Sequence, residues 1–369
     1  MRLCDTDRDS LLAALQPVAG IIERRHTLPI LGHVRLCKTG ATVELSSSDL
    51  ERQVSQRAEL GGDAGEHTTT VSAHKLLEIL RALPAGQALR LTAEKGRLTL
   101  RSGGSRFTLQ TLPAEDFPQA TPALDAALAL RLPRAALAAL IDRVAFAMAV
   151  QDIRYFFNGL LFSVAEGRLT LVGTDGNRLA VAHAPVPHTG PAHALILPRK
   201  TVLELQRLLR MGSADEVAVQ LGSTQARFQI GRAELVSTVI EGQFPDYRRV
   251  LPSGNPQGVT LDRVAWLGSV QRAVILASEK FRGLRLSFMP DGLRMLAGNA
   301  EQEEACEELA AEHAGIDFEL GLNAGYLIDL LSSTDAPTVH MALRDAQSPV
   351  LFTLPSVPDF AYVVGPMRI

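Results

Sequence analysis

The stretch Gln151–Ala182 carries the densest set of side chains able to do chemistry. It opens on Arg154-Tyr155-Phe156-Phe157, runs through two β-patterned segments joined at Glu166-Gly167, and reaches a polar turn, Thr174–Arg178. Cations and aromatics on two turns held apart by a hairpin describe one surface site on a rigid sheet. Four consecutive large side chains cannot all face inward from a strand, because successive residues alternate sides. Some of them are expected at the surface, bordering a pocket for a peptide with an apolar end. The plainer alternative places the aromatics in a core and leaves the arginines solvated. An enzymatic alternative, a hydrolase or a nucleotide-binding enzyme, would use the Thr174–Arg178 turn and its Asp175, with Asp152 nearby.

Other chemical motifs are thin. The chain has no G-x-S-x-G elbow, no G-x-x-x-x-G-K-[ST] loop and no H-E-x-x-H pair. His183, His188 and His193 stand in a Pro-containing loop without acidic neighbours and read as solvated. Arg101 and Arg106 frame Ser-Gly-Gly-Ser, which can approach an anion or simply turn a hairpin; the alternation on both sides describes the hairpin. Glu301, Glu303, Glu304, Glu307 and Glu308 form the densest charge cluster. They could ligate a hard cation, face water, or meet a cationic partner surface. The third reading draws on Arg101 and Arg106 beside Phe107 and Leu109. Opposite charge at opposite ends of one chain suits head-to-tail association, which closes into a ring if the rotation closes. No catalytic residue, metal ligand or cofactor is assigned.

The elements that must position these residues repeat. Helical spacing appears at Asp9–Glu23, where Pro17 must kink or interrupt the helix, and at Ser72–Leu83, Arg134–Val150, Lys200–Arg210, Asp262–Ala277 and Ala324–Leu331. Strand patterning fills most of the remainder, including Leu31–Leu36 and a tail over Tyr362–Ile369. Gly32, Gly159 and Gly283 are 127 and 124 residues apart, and Asp49, Asp175 and Asn299 are 126 and 124 apart. Glu78, Glu204 and Asp329 keep the same register inside the second helix of each unit, and Phe117-Pro118 recurs as Phe244-Pro245. The pattern predicts an α+β fold of three homologous domains, 1–125, 126–252 and 253–369, each with two helices and about eight strands. A fold repeated three times suits an object whose geometry is its function: an arc, a ring or a solenoid.

With 369 residues, 46% hydrophobic and 21% charged, the chain can bury several cores. The formal charge of −3 divides into zero, +4 and −7 over those three segments, so net charge does not choose the partner. Three distant cysteines, no apolar leader and no membrane-length run lead us to expect a reduced, cytoplasmic protein. Cations scattered along the repeated helices, among them Lys75, Arg134, Arg199, Lys200, Arg207 and Arg272, suit sequence-independent contact with DNA phosphates.

On Thr27–Gly32 (TLPILG), Gln151–Gly159 (QDIRYFFNG), Thr174–Ala180 (TDGNRLA), Phe244–Pro252 (FPDYRRVLP), Glu279–Gly283, Glu301–Ala305 and the terminal PMRI, the chain closely resembles the bacterial DNA polymerase III beta subunits, the beta sliding clamps. The resemblance covers essentially the whole chain. It implies a head-to-tail homodimeric ring whose helices line a hole around duplex DNA. It further implies a non-catalytic role and a pocket for short linear motifs of the replicative polymerase alpha subunit, the clamp loader and repair or translesion polymerases. Carried over, that pocket comprises Arg154, Phe156, Phe157, Thr174, Gly176, Asn177, Arg178, Leu179, Pro245, Arg249, Val250, Tyr326 and the tail Val364, Gly365, Pro366, Met367 and Arg368. The DNA-facing set is Arg25, Gln151, Tyr155, Lys200 and Arg282. The dimer contact is Lys75, Arg101, Arg106, Phe107 and Leu109 against Ile275, Leu276, Glu301, Glu303 and Glu304. Asn177 stands where the family commonly has His, His26 where it has Pro, and Gly365 where a larger apolar residue is usual; Cys306 interrupts the acidic run. A specialised paralogue of the clamp would carry the same motifs.

Overall fold

Alternating apolar positions dominate the sequence, and strands dominate the structure, a computed structural model that describes residues 2–23, 27–62, 64–120, 127–278, 282–313 and 315–368. By their contacts these divide into two units, residues 1–135 with 203–239, and residues 136–202 with 240–369. Each unit contains one eight-stranded and one four-stranded antiparallel sheet.

In the first unit the large sheet runs Glu66–Ser72, His33–Thr39, Thr42–Ser48, Arg52–Glu59, Ala233–Thr238, Gln225–Ile230, Glu216–Leu221 and Leu128–Pro133. In the second it runs His193–Pro198, Gly159–Ala165, Arg168–Thr174, Arg178–Pro185, Val357–Val364, Val350–Leu354, Thr338–Leu343 and Gln257–Asp262. The two orders are the same, element for element. The central repeat gives Gly159–Pro185 and His193–Pro198 to one sheet, and Leu128–Pro133 and Glu216–Thr238 to the other. Strand pairing therefore groups the contacts across the covalent repeat rather than along it. One face of each large sheet packs on helices over a core that includes Leu36, Leu45 and Val54 in the first unit and Phe162, Leu171 and Ala180 in the second. A fully buried Leu or Val contributes roughly 1.5–3 kcal/mol.

Six helices appear among the described residues: α1 (Arg8–Val18), α2 (Ala73–Ala82), α3 (Arg134–Val144), α4 (Arg199–Met211), α5 (Arg263–Ala273) and α6 (Ala324–Ser332). Asp7 caps α1 by accepting from the Ser10 amide at 2.8 Å, and Asp262 caps α5 by accepting from Ala265 at 2.8 Å. Pro17 sits one residue before the end of α1, and the chain then tightens into a 3-10 turn, Ala19–Ile21, rather than running on to Glu23. α3 and α5 also end early in 3-10 turns, Ala145–Ala147 and Val274–Leu276.

An arginine opens α1, α3 and α5, and each spans to the closing carbonyls of the second helix of its own sequence repeat. Arg8 Nε donates to Leu80 O at 2.7 Å, Arg134 Nη1 to Leu209 O at 2.7 Å, and Arg263 Nη1 to Leu331 O at 3.0 Å. A cation at a helix C-terminus meets both orphan acceptors and the negative end of the dipole. Two strand expectations shift. Pro29–Gly32 forms a 3-10 turn, so the strand expected at Leu31 begins at His33. The last strand stops at Val364, because Gly365-Pro366 ends the ladder and proline has no donor to extend it.

Candidate functional site

The site lies within the second unit, where Arg178–Pro185 pairs with the final strand, Val357–Val364. Leu179 stands opposite Val363 and Arg178 opposite Val364. The turn before this junction is built by Asp175. Its Oδ1 accepts from the Asn177 amide at 2.9 Å and the Arg178 amide at 3.1 Å, while Oδ2 takes Arg178 Nε at 2.9 Å. The Thr174 hydroxyl donates to Arg178 O at 2.6 Å. The first unit repeats the device 126 residues earlier: Asp49 Oδ1 accepts from Arg52 N at 2.7 Å and Oδ2 from Arg52 Nε at 2.9 Å.

Arg178, with 10% of its side chain exposed, is the hub. Nη1 donates to Asp329 of α6 at 2.6 Å and Nη2 to Phe146 O at 2.7 Å. Its guanidinium lies 4.4 Å from the Tyr326 ring centroid. Asp329 was read from the sequence only as a repeat landmark; its acidic place in the second helix was the one available signal of this role.

Arg154, 46% exposed, forms the other wall. Asp152 grips it through Nε at 3.0 Å and Nη2 at 2.8 Å, and Nη2 also donates to Asp175 O at 3.0 Å. Its guanidinium lies 4.6 Å from the Phe157 centroid. Arg154 donates to the Asp152 carboxyl from its side chain and then from its backbone, holding that carboxyl down at about 2. The two acids a hydrolase would need are thus both engaged by arginines, and the Thr174 hydroxyl is spent on a carbonyl. Gly176 (φ +90°) makes the close approach possible, since a Cβ there would sit 2.7 Å from Arg154 Nη1 and Nη2.

The aromatic run is not a strand but a 3-10 turn, Tyr155–Phe157, so the alternation argument does not apply to it. It still divides the side chains: Phe157 is buried, Phe156 half-buried and Tyr155 exposed. Phe157 meets Phe156 at 4.7 Å and Phe244 at 6.2 Å between centroids. Phe244 packs against an apolar cluster of Leu161, Val172, Leu179, Val181, Tyr247 and Val363. Pro245, Arg249 and Val250 are exposed around the short turn Tyr247–Val250, with Arg249 3.4 Å from Asp246. The tail is held by two backbone bonds, Gly365 N to Asn177 O and Met367 N to Gly321 O, both 2.9 Å. Pro366 is half-buried and Arg368 exposed.

Of the residues expected to face DNA, Arg25 lies outside the described residues. Gln151, Tyr155, Lys200 and Arg282 are exposed. Several helix cations read as phosphate contacts are instead internal ties. Besides Arg134, Arg199 donates to Met148 O at 3.1 Å, Arg207 holds Glu204 with the Gln16 and Pro17 carbonyls, and Arg272 holds Glu307 at 2.9 Å. A guanidinium satisfies several carbonyls at once, which a helical pattern alone does not reveal.

Of the expected dimer residues, Arg106, Phe107, Leu109 and Glu304 fall on edge strands of the two small sheets, and the rest on neighbouring elements. Ser105–Gln110 edges the first unit's small sheet, with Arg106 exposed and Phe107 and Leu109 half-buried. Arg101 pairs with Arg106 across the hairpin, and both are exposed, as is Lys75 on α2. Glu304–Ala310 edges the second unit's small sheet. Glu304, its first residue, is exposed, as are Glu301 and Glu303 just before it; Ile275 is exposed and Leu276 half-buried. Among the described residues no group of three His, Cys, Asp or Glu could hold a metal ion, and no helix is long and apolar enough to cross a membrane.

Three family models match in succession: the DNA polymerase III beta subunit N-terminal domain over residues 3–121, the central domain over 131–246 and the C-terminal domain over 248–368. The beta sliding clamp of Salmonella typhimurium is 40% identical over 363 residues, covering 98% of this chain and 99% of the relative. A crystal structure of the DNA polymerase III subunit beta from Pseudomonas aeruginosa superposes with a TM-score of 0.94 at 40% identity, covering 100% of both chains. The sliding clamp of that organism bound to griselimycin gives the same TM-score, identity and coverage. The chain belongs to the DNA polymerase III beta subunit family.

Proposed function

We propose that this protein is a DNA sliding clamp: a non-catalytic ring of two chains that encircles duplex DNA and tethers replication and repair proteins to it. The full-length succession of three clamp domains carries the reading. We place their boundaries at 1–125, 126–252 and 253–369, and the protein in the cytoplasm. The two chains join head to tail, the edge strand Ser105–Gln110 of one against Glu304–Ala310 of the other. Internal pairing supports the choice of charges. Glu307 is held by Arg272 and Glu308 by Arg294, each at 2.9 Å, and Glu303 accepts from Asn299 at 2.7 Å. Glu301 and Glu304 are the acids best placed to meet Arg101, Arg106 and Lys75 of a second copy.

Gln151, Tyr155, Lys200 and Arg282, with Arg25, would touch phosphates weakly enough to slide. The replicative polymerase alpha subunit, the clamp loader and repair or translesion polymerases would dock short linear motifs between Arg154 and Arg178, against Leu179, Val250 and the tail. Griselimycin, bound in a relative, is a candidate ligand of the same pocket. A tethered polymerase rebinds at high effective concentration instead of being lost to bulk.

The test is topological. The protein is loaded onto nicked circular DNA with a matching clamp loader and ATP, the salt is raised, and half the sample is linearised. Retention on circles with loss from linear ends is expected, because ordinary phosphate binding weakens with salt on both forms. Equal loss from both, with a control clamp retained on circles, would refute encirclement.

A further inference from the structure

A groove of about 1030 Å³ neighbours the pocket, in the same unit. Its floor is the solvent side of the large sheet, where Ser163, Thr170 and His183 stand in register across three strands. One wall is the segment 242–251, and Phe244 belongs to both places: it lines the groove and meets Phe157 beside the pocket.

The groove holds cations whose ion pairs are long. Arg168, 57% exposed, stands 3.9 Å from Asp359; Arg248, 78% exposed, stands 4.0 Å from Asp246. Asp246 is shared, because Arg249 takes it at 3.4 Å and the Arg248 amide donates to it at 3.3 Å. Glu166, in the hairpin turn, also lines the groove. Burial holds the His183 imidazole below the usual range, with Arg168 and Arg248 adding to the effect and Asp359 opposing it. The first unit is different at the same register. There Glu44 and Arg57 stand opposite each other, 126 residues before Thr170 and His183, and bond at 2.8 Å. In the second unit the same two places hold Thr170 and His183, which hydrogen-bond at 2.8 Å, and the place of Arg168 is held in the first unit by Thr42, so this exposed cation is particular to the second.

We propose that this groove receives an acidic segment flanking the apolar motif of a docking partner, its carboxylates meeting Arg168 and Arg248 while the motif fills the pocket beyond Phe244. The inference rests on the docking reading above and adds a second element to what a partner must carry. Peptide suits the groove better than single-stranded nucleic acid. Tyr247, which would have to stack on bases, is buried in the apolar cluster, and the floor offers hydroxyls rather than exposed rings.

The experiment uses fluorescence anisotropy with the full-length protein and synthetic peptides. Each carries a Leu-Phe anchor flanked, on either side in turn, by four glutamates or by four serines. At low salt one acidic flank is expected to tighten binding about tenfold, the effect of two partly exposed charge pairs. Arg168→Ser with Arg248→Ser should erase that gain and leave the serine-flanked peptide unchanged. No gain from either flank, or a gain that survives the double substitution, overturns the proposal. Acid-dependent binding that needs Arg168 and Arg248 but ignores Arg154→Ala would uphold the groove while sinking the pocket. Serine-flanked binding lost on Arg154→Ala, without any acidic gain, would do the reverse. Displacement of the acidic peptide by oligothymidylate at equal charge, again dependent on the two arginines, would assign the groove to nucleic acid and overturn the proposal.

Discussion

Gly176→Ala is the most discriminating single perturbation of the proposed docking site. Two effects can be separated in advance. At φ +90° an L-residue pays for the left-handed conformation, about 1 kcal/mol. In addition the new methyl would stand 2.7 Å from both terminal nitrogens of Arg154 and 3.0 Å from its Cζ. The guanidinium must swing away, which breaks its bond to Asp175 O and misaligns the fork on Asp152 and the contact with Phe157. Gly40→Ala supplies the control, since Gly40 has φ +62° and a Cβ there meets nothing within 4 Å. Both variants should lower Tm by roughly 2–4 °C, as about 1 kcal/mol does in a unit of this size. Only Gly176→Ala should weaken a docking peptide, about tenfold or more, as displacement of a central arginine does. Thermal melts and peptide anisotropy on the two variants decide it. Unchanged peptide affinity in Gly176→Ala, or an equal loss in Gly40→Ala, would refute the steric argument.

Asp329→Asn should lower stability in urea by about 1 kcal/mol, discounted because the carboxylate is partly exposed, and should loosen the peptide by freeing Arg178 and Tyr326. Arg106→Glu is expected to yield monomers by sedimentation at concentrations where the wild type is dimeric; a dimer of unchanged stability would rule out the proposed edge-strand interface. Acid should release the peptide in a defined window. The Asp152 carboxyl is lowered from 3.8 to about 2, so its hold on Arg154 is complete above pH 3.8 and is lost as pH falls towards 2. Asp152→Asn should weaken binding at neutral pH and flatten that titration. Arg134→Met should lower stability by about 1–2 kcal/mol through the loss of helix-end bonds, yet leave retention on circular DNA intact.

Much of this was legible in the sequence, and what was not has identifiable causes. The turns at Asp49 and Asp175 are local, so a short stretch announces them. The repeat showed because the register of 126 residues survives in both large sheets. Arg8, Arg134 and Arg263 were opaque, because a helical arginine has the same spacing whether it meets water, phosphate or a neighbouring helix end. The pairing of Leu179 with Val363 was invisible for another reason: it joins strands far apart in the chain, and no local pattern encodes a partner. The tail misled because Tyr362–Val364 is a true strand and the residues after it are apolar enough to continue the pattern.

The repeat also shows how two equivalent junctions came to be closed by different chemistry. In the second unit the row beside the turn is Ile196, Leu161, Val172 and Val181, aligned across four strands, with Leu179 next to it. In the first unit the same row, 126 residues earlier, reads Thr70, Arg35, Ser46 and Ser55, with Gln53 in the place of Leu179. Both rows follow an Asp-x-x-Arg turn of the same geometry, so the backbone frame was kept while the side chains diverged. Gln53 is occupied by the Ala120 amide at 2.8 Å and the Thr70 hydroxyl by Leu112 O at 2.8 Å, so the first junction is closed by the chain's own polar groups. The second row is buried, closed over by the apolar side chains of Phe244, Tyr247 and Leu251. An apolar cover gains from burial only where the surface beneath it has no better partner in water, so the apolar row takes an apolar cover from its own chain and the polar row a hydrogen-bonded one.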